Sequence, residues 1–165
     1  MDVGVIEYVA NKYDRSISSV MEGLNKRSGM MGMTGFGDLR EVHRLVEEGN
    51  EDAKLALDIY VHRIVGYIGN YTAQMGGVDV ITFTAGVGEN DDVVRKMVCD
   101  KLAPFGVKLD EEKNATRSKE PRIISTPDSA VTICVIPTNE ELAIARKSAA
   151  IAEEGKDSYG NVFSK

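Results

Sequence analysis

Apolar residues recur at helical spacing through the first half of the chain and give way to short β-branched runs in the second. Val5, Ile6, Val9, Ala10 and Tyr13 predict a first helix over 5–14. Ser16 is placed to cap a second, in which Ile17, Val20, Met21 and Leu24 make one face and Gly29 supplies the stop. Residues 29–37 carry four glycines in nine positions, poor helix composition. That segment is expected to be a loop. It is either a backbone lying close to something or a connector with its methionines tucked into the core.

Asp38 caps a third predicted helix, with Leu39, Val42, Leu45 and Val46 inward and Gly49 at its end. Asn50 opens a fourth that runs to about 75 and stops at Gly76-Gly77. Its apolar stripe includes Ala53, Ala56, Leu57, Tyr60, Val61, Ile64, Val65, Ile68 and Tyr71, wide enough to predict burial on more than one side. Residues 78–85 read as a buried strand, and 90–104 as a helix with Val93, Val94, Met97, Val98 and Leu102 facing in. Two further strands, 122–125 and 131–136, flank a Thr126-Pro-Asp-Ser129 turn. Asn139 caps a last helix with Leu142, Ala143, Ile144 and Ala149 inward. The charged stretch 110–122 reads as a surface excursion. The expected organisation is one domain over 1–152 and a loose polar tail over 153–165.

Length and charge narrow the function classes. A chain of 165 residues suits one domain and buries enough surface to fold without disulfides or a structural metal. A net charge of −6, with basic residues interspersed among acids, argues against nucleic acid as a partner. No run approaches the ~18 apolar residues of a membrane span. The first residues lack the basic and apolar regions of a signal peptide, so a cytoplasmic location is expected. Cys99 and Cys134 belong to no Cys/His cluster and read as buried reduced thiols. His43 and His62 sit on helices without a ligand cluster and read as structural or surface residues.

Three segments can carry chemistry. Residues 84–90, Thr-Ala-Gly-Val-Gly-Glu-Asn, occupy a turn from strand to helix, where open α/β sheets gather ligands. Gly86 and Gly88 would clear space for a planar ligand, and Asn90 would hydrogen-bond beside it; a purely structural turn is the alternative. No Gly-Lys-Ser/Thr follows, so it is not a P-loop, and the third-glycine position of a dinucleotide fingerprint falls on Asp91. The second segment, 137–141, places Glu140 and Glu141 in a first helical turn. There they complement the helix dipole or hold a magnesium ion through water. The third is Gly37-Asp-Leu-Arg40, where Asp38 serves as a cap and Arg40 is either solvated or set against a nucleotide base.

These segments carry a resemblance. Phe83-Thr-Ala-Gly-Val-Gly-Glu-Asn90 resembles the Phe-Thr-Gly/Ala-Gly-Ile-Gly-Glu-Asn segment of acetate kinases. Ile124-Ser-Thr-Pro-Asp-Ser129, Val135-Ile-Pro-Thr-Asn-Glu-Glu-Leu142 and Ile144-Ala-Arg146 resemble the C-terminal signature of the same family. Leu24-Asn-Lys-Arg-Ser-Gly29 and Leu55-Ala-Leu-Asp58 fit as well, and the resemblance covers about 3–150. It implies an α/β, ribonuclease H-like fold of the actin/Hsp70/sugar kinase superfamily. This chain would be an incomplete second domain, its helices packed on a short mixed sheet. It further implies that Gly86, Val87, Gly88, Glu89 and Asn90, with Asp38, Leu39 and Arg40, contact the adenosine of ATP or ADP. Glu140 would organise Mg2+, and subunits would pair through this domain as a homodimer. The implied reaction is ATP and acetate to ADP and acetyl phosphate. The alternatives are a propionate or butyrate kinase relative and a non-catalytic dimerising module.

The family's serines before its Asp-x-Arg are replaced here by Phe36-Gly37. The resemblance also implies that the chain starts past the family's midpoint. The acyl-binding and transition-state arginines, the catalytic-site aspartate and histidine and the glycine-rich phosphate loop would lie outside it. No catalytic residue is therefore expected within these residues, and the chain alone is expected to be inactive.

Overall fold

The computed structural model describes residues 2–154. Helices α1 (Gly4–Lys12) and α2 (Ile17–Lys26) pack on each other, and the Ser16 hydroxyl accepts from the Ser19 amide at 3.1 Å as the sequence predicts. Residues expected to form a glycine-rich loop instead begin with a short helix, α3 (Gly29–Thr34), packed on the long helix that follows. Gly32 permits this: a Cβ there would lie 2.8 Å from the Arg27 carbonyl oxygen. The Thr34 hydroxyl donates to the Met30 carbonyl at 2.9 Å, Met30 leans on the core, and Gly35 at φ +78° ends the turn. Packing overrides weak propensity here.

Helix α4 (Leu39–Glu47) is capped by Asp38, which accepts from the Arg40 amide at 2.9 Å. Helix α5 (Glu51–Met75) is capped by Asn50, which accepts from the Ala53 amide at 2.9 Å, and stops at Gly76 with φ +76°. One face of α5 enters the core through Ala53, Ala56, Leu57 and Val61. Burial on several sides is not found, because Leu55, Ile59, Tyr67, Tyr71 and Met75 stay exposed.

The second half supplies a three-stranded mixed sheet in the order β1-β3-β2. Strand β1 (Val80–Phe83) runs parallel to β3 (Thr132–Val135), with Val80 opposite Thr132 and Phe83 opposite Val135. Strand β2 (Arg122–Ile123) is antiparallel to β3, with Ile123 opposite Cys134. The strand expected to be buried is thus an edge strand: Val80 is 54% exposed, while Ile81 and Phe83 face the core. The turn expected over 84–90 is itself a short helix, α6 (Ala85–Asn90), and the helix expected over 90–104 is α7 (Asp92–Lys101) followed by a 3-10 turn at Ala103–Phe105. Asp91 separates the two, since its carboxylate accepts from the Val94 amide at 2.9 Å and starts α7 afresh.

Val42, Leu57, Val61, Val98, Leu102, Ile124, Ile133 and Val135 close the core between α4, α5, α7 and the sheet. The charged excursion is not all surface: α8 (Glu111–Ala115) docks on α7 and buries Asn114. Helix α9 (Glu140–Glu154) is capped by Asn139, which accepts from the Leu142 amide at 2.9 Å. Its expected inner face is uncovered, with Leu142 and Ile144 exposed. Cys99 is buried, and burial pushes its thiol up to about 11; Cys134 is only half-buried. The tail expected beyond α9 lies outside the described residues. Among the described residues no helix is long and apolar enough to cross a membrane.

Candidate functional site

Parallel pairing of β1 and β3 brings their carboxyl ends side by side, so the segments that follow each strand meet. A small clasp locks them. The Thr84 and Thr138 hydroxyls lie 2.8 Å apart, and the Ala85 amide donates to the Thr138 hydroxyl at 3.2 Å. The Thr138 amide donates to the Glu89 carboxylate at 2.7 Å. Between these bonds Ala85 is held at φ +59°, a conformation that a non-glycine residue adopts only where its surroundings enforce it.

Helix α6 then stands as a partition between two grooves. On one side Gly86, Val87, Asn90 and Asp91 face Asp38, Leu39, Arg40 and His43 across a groove of about 910 Å³. On the other, Gly86 and Glu89 face Pro137, Thr138, Glu140 and Glu141 across about 950 Å³. Both volumes lie in the range of small-molecule sites, roughly 300–1,000 Å³. All three sequence-predicted segments therefore converge on α6.

The two glycines of α6 have different reasons to be glycine. A Cβ on Gly86 would meet nothing within 4 Å, leaving open space where both grooves begin. A Cβ on Gly88 would sit 3.2 Å from the Phe83 carbonyl carbon, so Gly88 serves the packing of α6 on β1 and lines neither groove. Asn90 is committed to its own helix, its side-chain amide donating to the Gly86 carbonyl at 2.8 Å. Arg40 is 89% exposed along its side chain and grips Asp38 through Nε at 3.1 Å to each carboxylate oxygen. That hydrogen bonding holds the Asp38 carboxyl down to about 2.

The sequence reading missed two groups. His43 Nε2 lies 2.8 Å from Asp91 Oδ2, tying α4 to the α6–α7 junction across the first groove. His43 stands one helical turn beyond Leu39, so helical spacing alone places it on the groove side of α4. The other is Arg95, a buried guanidinium under α6 that donates to the Gly88 and Glu89 carbonyls, each at 3.0 Å. A cation near a charged helix surface gives no signal of burial in sequence.

Glu140 is exposed at the second groove beside Glu141, and Glu89 is engaged by the Thr138 amide. Among the described residues no group of three or more His, Cys, Asp or Glu is placed to hold a metal by itself. The groove instead offers the one or two carboxylates that Mg2+ takes when water and ligand phosphates complete its shell.

The acetokinase family model matches residues 1–146. Acetate kinase from Leifsonia xyli subsp. xyli is 49% identical over 148 residues, covering 90% of this chain and 37% of its own length. Acetate kinase from Carboxydothermus hydrogenoformans is 50% identical over 148 residues, with the same coverage of 90% and 37%. The chain thus spans about 37% of the length of these relatives. Among solved structures, Porphyromonas gingivalis acetate kinase superposes with a TM-score of 0.82 at 39% identity, over 92% of this chain and 38% of that one. A propionate kinase from Francisella tularensis gives 0.80 at 36% identity, over 88% and 37%. These kinases have the actin/Hsp70/sugar kinase fold, and the helices and short mixed sheet described here form part of one such domain, as expected.

Proposed function

This chain belongs to the acetokinase family, and from that premise we propose that it is the nucleotide side of a kinase moving a phosphoryl group between ATP and acetate. Asp38, Leu39 and Arg40 with Gly86, Val87 and Asn90 hold adenosine in the first groove, while Gly88 and Glu89 keep α6 in place. Glu140 orients a magnesium ion that arrives with the nucleotide phosphates. The observation that carries this reading is the convergence of Asp38, Leu39 and Arg40 with Gly86, Val87 and Asn90, 46 or more residues apart along the chain, on one groove with open space above Gly86. A cytoplasmic location belongs to the same reading.

Calorimetry with ADP and adenosine tests it. Both should bind weakly and with similar affinity, because the chain offers adenosine contacts and no phosphate loop. Absence of binding by either would refute the adenosine groove. A preference for ADP of about tenfold, or 1.4 kcal/mol, would place a phosphate site within these residues. A relative acting on propionate is the second reading. The similarity to a propionate kinase over the same part leaves the acyl group to residues elsewhere.

The same reading includes a homodimer formed through α5. Tyr60, Ile64 and Ile68 pack against the chain's own core, but Tyr67 and Tyr71 stack at 6.4 Å on the outside, and Tyr71 is 55% exposed. Met75, one turn beyond Tyr71, extends this apolar face, and aromatic residues favour interface centres. Light scattering should give twice the 18.0 kDa chain mass, and Tyr71→Glu should return it to the monomer. A wild-type monomer refutes the dimer; a dimer that survives Tyr71→Glu moves the interface to another face.

A further inference from the structure

Arg95 is 2% exposed on α7 and no carboxylate among the described residues is in ion-pair contact with it. Burying a guanidinium is costly unless its donors are met. Here they are met by carbonyl oxygens. Nε donates to Asn114 Oδ1 at 2.7 Å, Nη2 to the Asn114 carbonyl at 2.7 Å, and Nη1 to both Gly88 and Glu89 carbonyls at 3.0 Å. Asn114 is itself fixed, its Nδ2 donating to the Asp92 carbonyl at 2.9 Å. Burial, and then the neighbouring Arg122 charge, pull the Arg95 pKa down, yet a guanidinium stays charged at neutral pH.

The acceptors explain why the charge is tolerated. Gly88 and Glu89 contribute the last carbonyls of α6, which have no intrahelical partner and form the negative end of the helix. Six residues are too few for a helix to hold its own shape. Its N-terminal end is tied by the Thr84 and Ala85 bonds to the Thr138 hydroxyl, and its C-terminal end by Arg95 on the backbone carbonyls, with the Glu89 side chain also held by the Thr138 amide. We propose that Arg95 is a positioning residue for the nucleotide: it anchors the C-terminal end of α6 to α8 and so sets the line of Gly86–Asn90 against Asp38–Arg40. This rests on the adenosine-groove reading.

Hydrogen exchange and ADP calorimetry on the full chain, with Arg95→Lys and Arg95→Met, test it. Lysine keeps the charge but not the fork; methionine fills the space and leaves the carbonyls without donors. In both variants amides 85–90 should exchange faster by about tenfold, the scale of one lost charge-assisted hydrogen bond, with ADP affinity falling in parallel. Protection of α5 over 53–61 should be unchanged. Exchange rising equally in α5 and α6 would reduce Arg95 to a general packing residue and overturn the proposal. So would unchanged exchange at 85–90, or unchanged ADP affinity despite faster exchange. If the wild-type chain binds no ADP, the groove reading fails by itself, and exchange at 85–90 still decides whether Arg95 is the anchor. Should the arginine variants not fold, Asn114→Ala removes one acceptor and should produce the same local opening at smaller size; no change at 85–90 in that variant also overturns the proposal.

Discussion

No acetyl phosphate should accumulate when the purified 165-residue chain is incubated with ATP, magnesium and acetate. Phosphoryl transfer asks a protein mainly to position the reactants and to neutralise charge on the transferring group. A single well-placed arginine can be worth about 10³–10⁵ in turnover. The cations at the two grooves are poorly suited to that task. Arg40 is already paired to Asp38, and Arg117 and Lys119 stand exposed, where solvent and salt weaken their field. The buried cation, Arg95, spends its donors on backbone carbonyls. Nothing in the first groove or the second is arranged to take an acyl group beside a phosphate. The measurement is acetyl phosphate formation in a preparation free of host kinase, and turnover above a buffer blank would overturn the expectation. Activity that appears only when the chain is joined to the remaining part of a family member would support it.

Much of the fold was legible because its signals are local. Ser16, Asp38, Asn50 and Asn139 each put a side-chain oxygen at the start of an apolar periodic run, and each accepts a backbone amide where expected. The three site segments were legible for a related reason: glycine, asparagine and acid at the end of a β-branched run form a short-range pattern. The misreadings depend on distant partners. Asp91 divides the unexpected α6 from α7 while its other oxygen is held by His43, 48 residues away. Arg95 and Asn114 are 19 residues apart and individually look like surface residues, yet each is buried against the other. Residues 29–34 form a helix because α5 lies against them, which composition cannot register. Exposure of Val80, Leu142 and Ile144 has the opposite cause. Their patterns are those of core positions, and no described residue covers them. The same periodicity would suit a chain in which further structure packs on β1 and α9.

Gly86 and Gly88 look equivalent in the sequence, and substituting each by valine should separate binding from folding. At Gly86 the added Cβ meets no atom within 4 Å and φ is outside the left-handed region, so the fold should tolerate Val there. Helix propensity does not oppose the change, since valine is a better helix former than glycine by about a few tenths of a kcal/mol. The new side chain fills the space where both grooves begin, so adenosine and ADP binding should disappear by calorimetry while the melting temperature stays within a few degrees. At Gly88 the Cβ alone comes 3.2 Å from the Phe83 carbonyl carbon and 3.4 Å from its Cα and Cβ. Backbone cannot yield as a side-chain tip can, and the two γ-carbons of valine add to the clash. Overpacking of this kind costs about 1–3 kcal/mol or more. That is a large share of the stability of a domain this size, and α6 would be levered off β1. Gly88→Val should therefore lower the melting temperature sharply and lose binding only as a consequence. Nucleotide binding that survives Gly86→Val would move the adenosine away from α6. Equal losses of stability in the two variants would mean that the space above Gly86 is filled by the chain itself in solution.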